Sequence, residues 1–111
     1  MAASLDIPRR YKSYRNPYLE KPKTDKFQEC GEGNGICYGV ATMQGWRTEM
    51  EDAHMVKINL GNAFEDWSYF AVFDGHAGAK VARYAAKHLL DTIIATEEFH
   101  QDVTKAIHKG F

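Results

Sequence analysis

The stretch W-S-Y-F-A-V-F, residues 67–73, constrains the fold of this 111-residue chain more than any other segment. Apolar side chains occupy consecutive positions in it, which is typical of a central strand covered on both faces. A strand of this kind needs a layer of secondary structure on each side. The chain supplies few elements to provide both layers, so it is expected to be the front piece of a larger domain.

The segments around this strand predict more strands before it and helices after it. Residues 53–60 alternate between apolar and polar, which indicates a half-buried strand, and residues 44–47 favour a turn or bend. After Gly78 the apolar residues recur every four positions, which indicates helices. In order, the predicted elements are strands at 36–43, 53–60 and 67–73, a loop at 61–66, a helix after Gly78 and a second helix from about Glu97.

Residues 1–34 differ in composition from the rest, and they predict an extended basic arm with a glycine-rich linker before a domain at 35–111. They hold all three prolines and lead into the glycine-rich C-G-E-G-N-G, residues 30–35. Residues 1–26 carry a net charge of +4, whereas the remainder carries −5. Such an arm suits nucleic acid or an anionic membrane, but a solvated tail is the simpler interpretation, and no specific nucleic acid partner is expected. The basic residues are Arg9, Arg10, Lys12, Arg15, Lys21, Lys23 and Lys26.

The overall composition indicates a globular protein of a reducing compartment. Hydrophobic residues make up 44% and charged residues 26%, which is ordinary for a globular domain. No apolar run approaches the roughly 20 residues that span a bilayer, and the N-terminus has no apolar segment typical of a signal peptide. The two cysteines, Cys30 and Cys37, form no disulfide framework. We expect a cytoplasmic or nuclear protein, or one found in both.

Two polar clusters lie next to the predicted strands. The first is G-W-R-T-E-M-E-D, residues 45–52, just before the strand at 53–60; the second is D-G-H-A-G, residues 74–78, just after the strand at 67–73. If those strands pair as a hairpin, both clusters lie at the same end of the sheet and the loop lies at the other. Glu51 and Asp52 are then close to Asp74.

Oxygen-rich side chains in these clusters point to a metal site. Mg²⁺ and Mn²⁺ prefer carboxylates, carbonyls and water. Asp74 has two oxygens with which to bridge two ions, and Gly75 lacks the Cβ that would keep an ion from its carbonyl. Glu51 and Asp52 add direct ligands or hold metal-bound water. Taken singly, an Asp-Gly pair is more often a turn, and an acidic run more often faces solvent.

Two further residues suit the chemistry of phosphate. The planar guanidinium of Arg47 matches a phosphate group, and the imidazole of His76 can donate a proton to a leaving alkoxide. Alone, Arg47 beside Trp46 is equally consistent with stacking on the ring, and a histidine before a helix with a surface position. Together with the acidic residues they are the parts of a two-metal site for phosphoryl hydrolysis.

At these residues the sequence resembles the type 2C family of metal-dependent protein serine/threonine phosphatases, most closely its animal alpha/beta-type members. The resemblance rests on Y-G-V-A-T-M-Q-G-W-R-T-E-M-E-D-A-H (38–54) and W-S-Y-F-A-V-F-D-G-H-A-G (67–78), and continues through V-A-R-Y-A-A-K-H-L-L. It implies an α+β fold in which two antiparallel sheets are flanked by helices, an α-β-β-α sandwich, of which this chain is the N-terminal portion.

The resemblance also implies a role for each polar residue of the two clusters. The implied metal group is Glu51, Asp52, Asp74 and Gly75, and the implied catalytic group is Arg47, which grips the phosphate, and His76, the general acid. The family uses two Mg²⁺ or Mn²⁺ ions, and a metal-activated water attacks the phosphorus in line. The implied substrates are phosphoserine and phosphothreonine proteins, and the complete enzyme is expected to be a monomer.

Two departures from the family pattern limit these expectations. The family domain is much longer, and its further metal-binding aspartates lie beyond the part that this chain matches. We therefore expect the 111-residue chain alone to have little or no activity, and a truncated, catalytically inactive form acting through partner binding is the alternative function. Residue 2 is alanine rather than glycine, which argues against membrane attachment through N-myristoylation.

Overall fold

The computed structural model describes residues 16–111, so residues 1–15 of the predicted arm lie outside the described part. These 96 residues form two hairpins followed by helices. The elements are β1 (Tyr18–Gly33), β2 (Ile36–Arg47), β3 (Ala53–Lys57), β4 (Tyr69–Phe73), α1 (Lys80–Ile94), a 3-10 turn (Glu97–His100) and α2 (Val103–Gly110).

The first hairpin occupies residues for which the sequence predicted a linker. β1 pairs with β2 in antiparallel register from Gly33 opposite Ile36 to Tyr18 opposite Arg47. Asn34 and Gly35 connect them with φ values of 50° and 72°, the left-handed pair of a two-residue hairpin turn. The linker prediction was thus wrong for β1, because N-G between two extended segments nucleates a hairpin. Residues 44–47, predicted as a turn or bend, belong to β2, in which Gly45 has a φ of 68° and the pairing with β1 shifts register on either side of Gly45.

The second hairpin confirms the predicted pairing of the two later strands. Ala53 lies opposite Phe73 and Lys57 opposite Tyr69, so β3 and β4 are antiparallel. Both strands are shorter than predicted at the loop end. There the carbonyl of Ile58 accepts hydrogen bonds from the Ser68 hydroxyl and the Asn34 side chain, both at 2.5 Å, instead of extending the ladder.

The β3–β4 sheet is closely packed on one face only, because Phe70 and Val72 on the other face remain 46% and 79% exposed, so only one of the two covering layers that the stretch at 67–73 calls for is complete within residues 16–111. Helix α1 packs against β3 and β4 on one side. The β1–β2 hairpin lies on the other, where the rings of Tyr38 and Phe70 are 5.9 Å apart and those of Phe27 and His54 5.7 Å apart. Two small antiparallel sheets with helices on one side make an α+β fold, which confirms the predicted class.

A hydrophobic core gathers at the loop end of this sheet. Its buried members are Leu60, Leu90, Ile93, Phe99 and Ala106. The second predicted helix is divided into the 3-10 turn and α2, because Asp102 interrupts it and caps α2 by accepting a hydrogen bond from the Lys105 amide at 3.2 Å. Among the residues described, no helix has the length and apolar character to cross a bilayer.

Candidate functional site

The register of the second hairpin brings the two polar clusters together. Because Ala53 and Phe73 are the last paired residues at that end, Asp52 and Asp74 lie just beyond the ladder on neighbouring chains. All six residues predicted from the sequence line one cleft of about 210 Å³, here called the site cleft. Its lining residues are Met43, Gln44, Arg47, Glu49, Met50, Glu51, Asp52, Asp74, Gly75 and His76.

Gly75 allows the segment after β4 to lie in contact with the segment before β3. A Cβ built at this position would overlap the backbone carbonyl oxygen of Glu51 and lie 2.9 Å from the carbonyl carbon. No real side chain fits at that separation, and the blocking atoms are backbone. The absence of a side chain at Gly75 is therefore what lets the segment after β4 approach the segment before β3.

The carboxylate of Glu51 connects three parts of the site cleft. Its Oε1 accepts a hydrogen bond from the backbone N–H of Gly78 at 2.6 Å, and its Oε2 lies 4.0 Å from Nη2 of Arg47. The Glu51 side chain is only 19% exposed, whereas that of Arg47 is 60% exposed, so solvent reaches the ion pair from the arginine side. The preceding Ala77 has a φ of 59° and Gly78 a φ of 117°, a left-handed turn that leads the chain into α1. Glu51 thus braces the turn and faces the guanidinium.

Asp74 and His76 present their polar atoms to solvent at the mouth of the site cleft. Their side chains are 81% and 83% exposed, and Nδ1 of His76 lies 3.6 Å from Oδ1 of Asp74. The same nitrogen is 3.3 Å from the backbone carbonyl of Asp74. Asp52 is exposed as well. Unlike Glu51, these side chains are available to an incoming ion or substrate.

The oxygen atoms that line the site cleft are of the types that a hard divalent cation binds. Asp52 and Asp74 supply carboxylate oxygens and Gly75 a carbonyl, which are the ligand types that Mg²⁺ and Mn²⁺ take. Glu51 has one oxygen occupied by the Gly78 amide, which suits a supporting position better than a direct ligand. Within residues 16–111, no three acidic, histidine or cysteine side chains are grouped closely enough to hold an ion among themselves.

Arg47 owes its position to the long first hairpin. It ends β2, and the Gln44 side chain donates a hydrogen bond to its carbonyl at 2.8 Å. The amide of Thr48 donates to the carbonyl of Pro17 at 3.0 Å, which ties the start of β1 to the same corner. The sequence interpretation missed Gln44 and the start of β1. The N-G turn at 34–35 was the signal, because a hairpin from there reaches Arg47.

Comparisons with known proteins place the chain in a family. The sequence profile described as "Protein phosphatase 2C" matches residues 36–111. Rat protein phosphatase 1B is 54% identical over 82 residues, which is 74% of this chain and 21% of the relative. Human protein phosphatase 1A is 47% identical over 102 residues, which is 85% of this chain and 27% of the relative. Human protein phosphatase 1B is 54% identical over 82 residues, 17% of its length.

The fold, the two motifs and these matches define a class of protein. The chain belongs to the protein phosphatase 2C family, as the resemblance of its motifs had predicted. It spans between about a sixth and just over a quarter of the length of the curated relatives it matches.

Proposed function

We propose that this chain supplies the N-terminal part of the active site of a metal-dependent protein serine/threonine phosphatase. The observation that supports this most strongly is the site cleft itself. In a chain of the protein phosphatase 2C family, one cleft collects a guanidinium, four carboxylates, the carbonyl of a glycine and an imidazole. Phosphoserine and phosphothreonine proteins are the proposed substrates.

Each residue of the site cleft has a proposed task that its surroundings support. Asp74, Asp52 and the carbonyl of Gly75 would hold the divalent cations, Mg²⁺ or Mn²⁺. Bound there, such ions supply Lewis-acid stabilisation of the charge that develops on the phosphoryl oxygens and on the attacking water. Glu51 acts as a supporting residue, because its oxygens are directed at the Gly78 amide and at Arg47.

The substrate side of the cleft is formed by the exposed side chains of Arg47 and His76. The guanidinium of Arg47, 60% exposed, binds two phosphoryl oxygens with its planar fork. His76 donates a proton to the seryl or threonyl oxygen as it leaves, and the nearby oxygens of Asp74 orient its ring.

The test uses a full-length protein that contains this chain, a phosphothreonine peptide and Mn²⁺. Arg47→Ala should lower kcat/KM by about 10²-fold or more, as loss of a group that binds developing charge does. Lys57→Ala, at the other end of β3, removes a cation outside the cleft and should leave the rate near that of the parent. Equal rates in all three proteins would refute the proposal.

A second candidate function is binding without catalysis by the 111-residue polypeptide itself. It is favoured because residues 16–111 do not group three metal-binding side chains. We propose that this polypeptide hydrolyses a phosphopeptide slowly or not at all. A single-turnover assay against a full-length relative measures the difference, and comparable turnover would exclude the second candidate.

We also propose a cellular location and an oligomeric state for the protein. Cys30 and Cys37 are both exposed and unpaired thiols, which agrees with a cytoplasmic or nuclear location. The complete enzyme is proposed to act as a monomer on phosphoproteins. Sedimentation of the full-length protein and cell fractionation test these two statements.

A further inference from the structure

A second depression adjoins the site cleft and has a different lining. It measures about 630 Å³, and three of its residues, Gln44, Glu49 and Met50, also line the site cleft. The others are Ala79, Lys80 and Arg83, which come from the start of α1. We call this depression the basic groove. Because the two share a wall, a peptide bound with its phosphate in the cleft passes the groove within a few residues.

The two cations of the basic groove are exposed and uncommitted. Lys80 and Arg83 are both on the surface, and neither takes part in an ion pair with the residues that the structure describes. The groove also contains the carboxylate of Glu49, so its formal charge is +1. The surplus is positive, and both cations are free to meet a carboxylate from outside.

Helix stability does not account for these cations. The first turn of a helix favours acidic side chains, since its free N–H groups carry partial positive charge. In α1 the first turn has no acidic residue, and Ala79 makes no side-chain cap. Lys80 and Arg83 instead add positive charge where it weakens the helix. A negatively charged ligand would offset that repulsion.

We propose that the basic groove binds an acidic side chain of the substrate, one to three residues away from the phosphorylated serine or threonine. The inference rests on the proposed phosphatase function and specifies its substrate class. An extended peptide advances about 3.4 Å per residue, so this spacing covers the step from the cleft to the adjoining groove. Arg83 offers a planar fork to the carboxylate, and Lys80 a second positive charge.

The test compares phosphothreonine peptides that differ by one charge. Glutamate is placed in turn at each of the three positions on either side of the phosphothreonine, and glutamine is the isosteric reference. In a full-length protein containing this chain, we expect the best glutamate peptide to have an about 3- to 10-fold higher kcat/KM at low ionic strength. Exposed ion pairs contribute about 1.5- to 5-fold each, and two cations act here.

Three variants locate the effect. K80A/R83A should bring the glutamate-to-glutamine ratio close to one, mainly through KM, whereas K80R/R83K should keep it. Lys87→Ala is the matched control, because Lys87 lies one turn beyond Arg83 on α1 and does not line the groove. The control should retain the ratio of the parent protein.

Several outcomes would overturn the inference. A ratio near one at every position, or a ratio unchanged in K80A/R83A, excludes the groove as a binding site. If Lys87→Ala lowers the glutamate-to-glutamine ratio as much as K80A/R83A does, the preference for glutamate comes from the overall positive charge of the helix. That result also contradicts the proposal. If the parent hydrolyses no peptide, the phosphatase function fails instead. Fluorescence anisotropy then measures the Kd values of the same glutamate and glutamine peptides. Their ratio tests whether the basic groove binds the acidic side chain, independently of hydrolysis.

Discussion

The two ends of the β3–β4 hairpin are built on opposite principles. At the loop end, Leu90, Phe99 and Ala106 are between 0% and 5% exposed, in an apolar core. At the other end, the side chains of Asp74 and His76 are more than 80% exposed. The packed end fixes the hairpin against α1 through burial, whereas the site end is left accessible to ions and substrate.

The comparison shows how an open site can still have a defined geometry. At the site end the positions are fixed by backbone contact and by one carboxylate, through Gly75 against Glu51 and Glu51 against the Gly78 amide. At the packed end they are fixed by side-chain packing. The two ends should therefore respond to different substitutions, one in stability and the other in activity.

The largest effect on stability is expected at the packed end. Phe99→Ala removes a ring that is 4% exposed and meets the Phe64 ring edge-on, with the ring centroids 4.6 Å apart, so it should cost about 3–5 kcal/mol. Hydrogen exchange in α1 and α2 of a full-length protein measures the loss. Phe27→Ala, at a ring that is 53% exposed, is the matched control and should cost much less. Similar losses for both would refute the assignment of the core.

The largest effect on activity is expected at Gly75. Alanine there forces the Glu51 backbone away, which displaces the carbonyl of residue 75 and the carboxylate of Asp74 together. We expect phosphopeptide hydrolysis to fall by about 10²-fold or more, since misplacement by about 1 Å costs that much. Gly39→Ala is the control, because a Cβ at Gly39 meets nothing within 4 Å. Normal activity in Gly75→Ala would show that the close contact is not needed.

A smaller effect is expected where the two hairpins meet. The Asn34 side chain donates hydrogen bonds to the carbonyls of Ile58 and Glu65, and its backbone has a φ of 50°. Asn34→Gly keeps the turn but loses the hydrogen bonds, which should cost about 1 kcal/mol. Asn34→Ala also strains the turn and should cost roughly 1 kcal/mol more. Thermal unfolding measures both, and equal costs would contradict the role of the turn.

The smallest effect concerns the ion pair between Lys109 and Glu98, whose Nζ and Oε1 atoms are 2.6 Å apart. The hydrogen bond from Lys109 lowers the pKa of Glu98, and the same bond raises the pKa of Lys109. The contribution of Glu98 to stability is therefore present above its unfolded pKa, near 4.3, and lost as the pH falls through the lower folded value. That of Lys109 is present below about pH 10.4 and lost as the pH rises through the higher folded value.

This pH dependence is checked with Glu98→Gln. The variant should have a slightly lower Tm than the parent between about pH 5 and pH 10, and the difference should shrink outside that window. A difference that is constant at all pH values would show that the pair acts through packing rather than charge.

Much of the fold followed from the sequence because its signals were local. Alternation at 53–60 and the apolar run at 67–73 predicted β3 and β4, and antiparallel pairing placed both polar clusters at one end. β1 was missed because its side chains are mostly exposed and show no alternation, so the N-G turn was its one sequence signal. The contact of Gly75 with Glu51 and the basic groove depend on residues distant in the chain, which no local pattern encodes.

The proposed binding of divalent cations at the site end depends above all on the exposed carboxylate of Asp74. In a full-length protein containing this chain, phosphopeptide hydrolysis is measured as a function of Mn²⁺ concentration for the parent, Asp74→Asn and Asp66→Asn. Asp66 lies in the exposed loop at the other end of the hairpin. If Asp74 holds the cations, Asp74→Asn needs far more Mn²⁺ and loses about 10²-fold or more in kcat, while Asp66→Asn matches the parent. Identical Mn²⁺ dependence in all three proteins would contradict this role of Asp74.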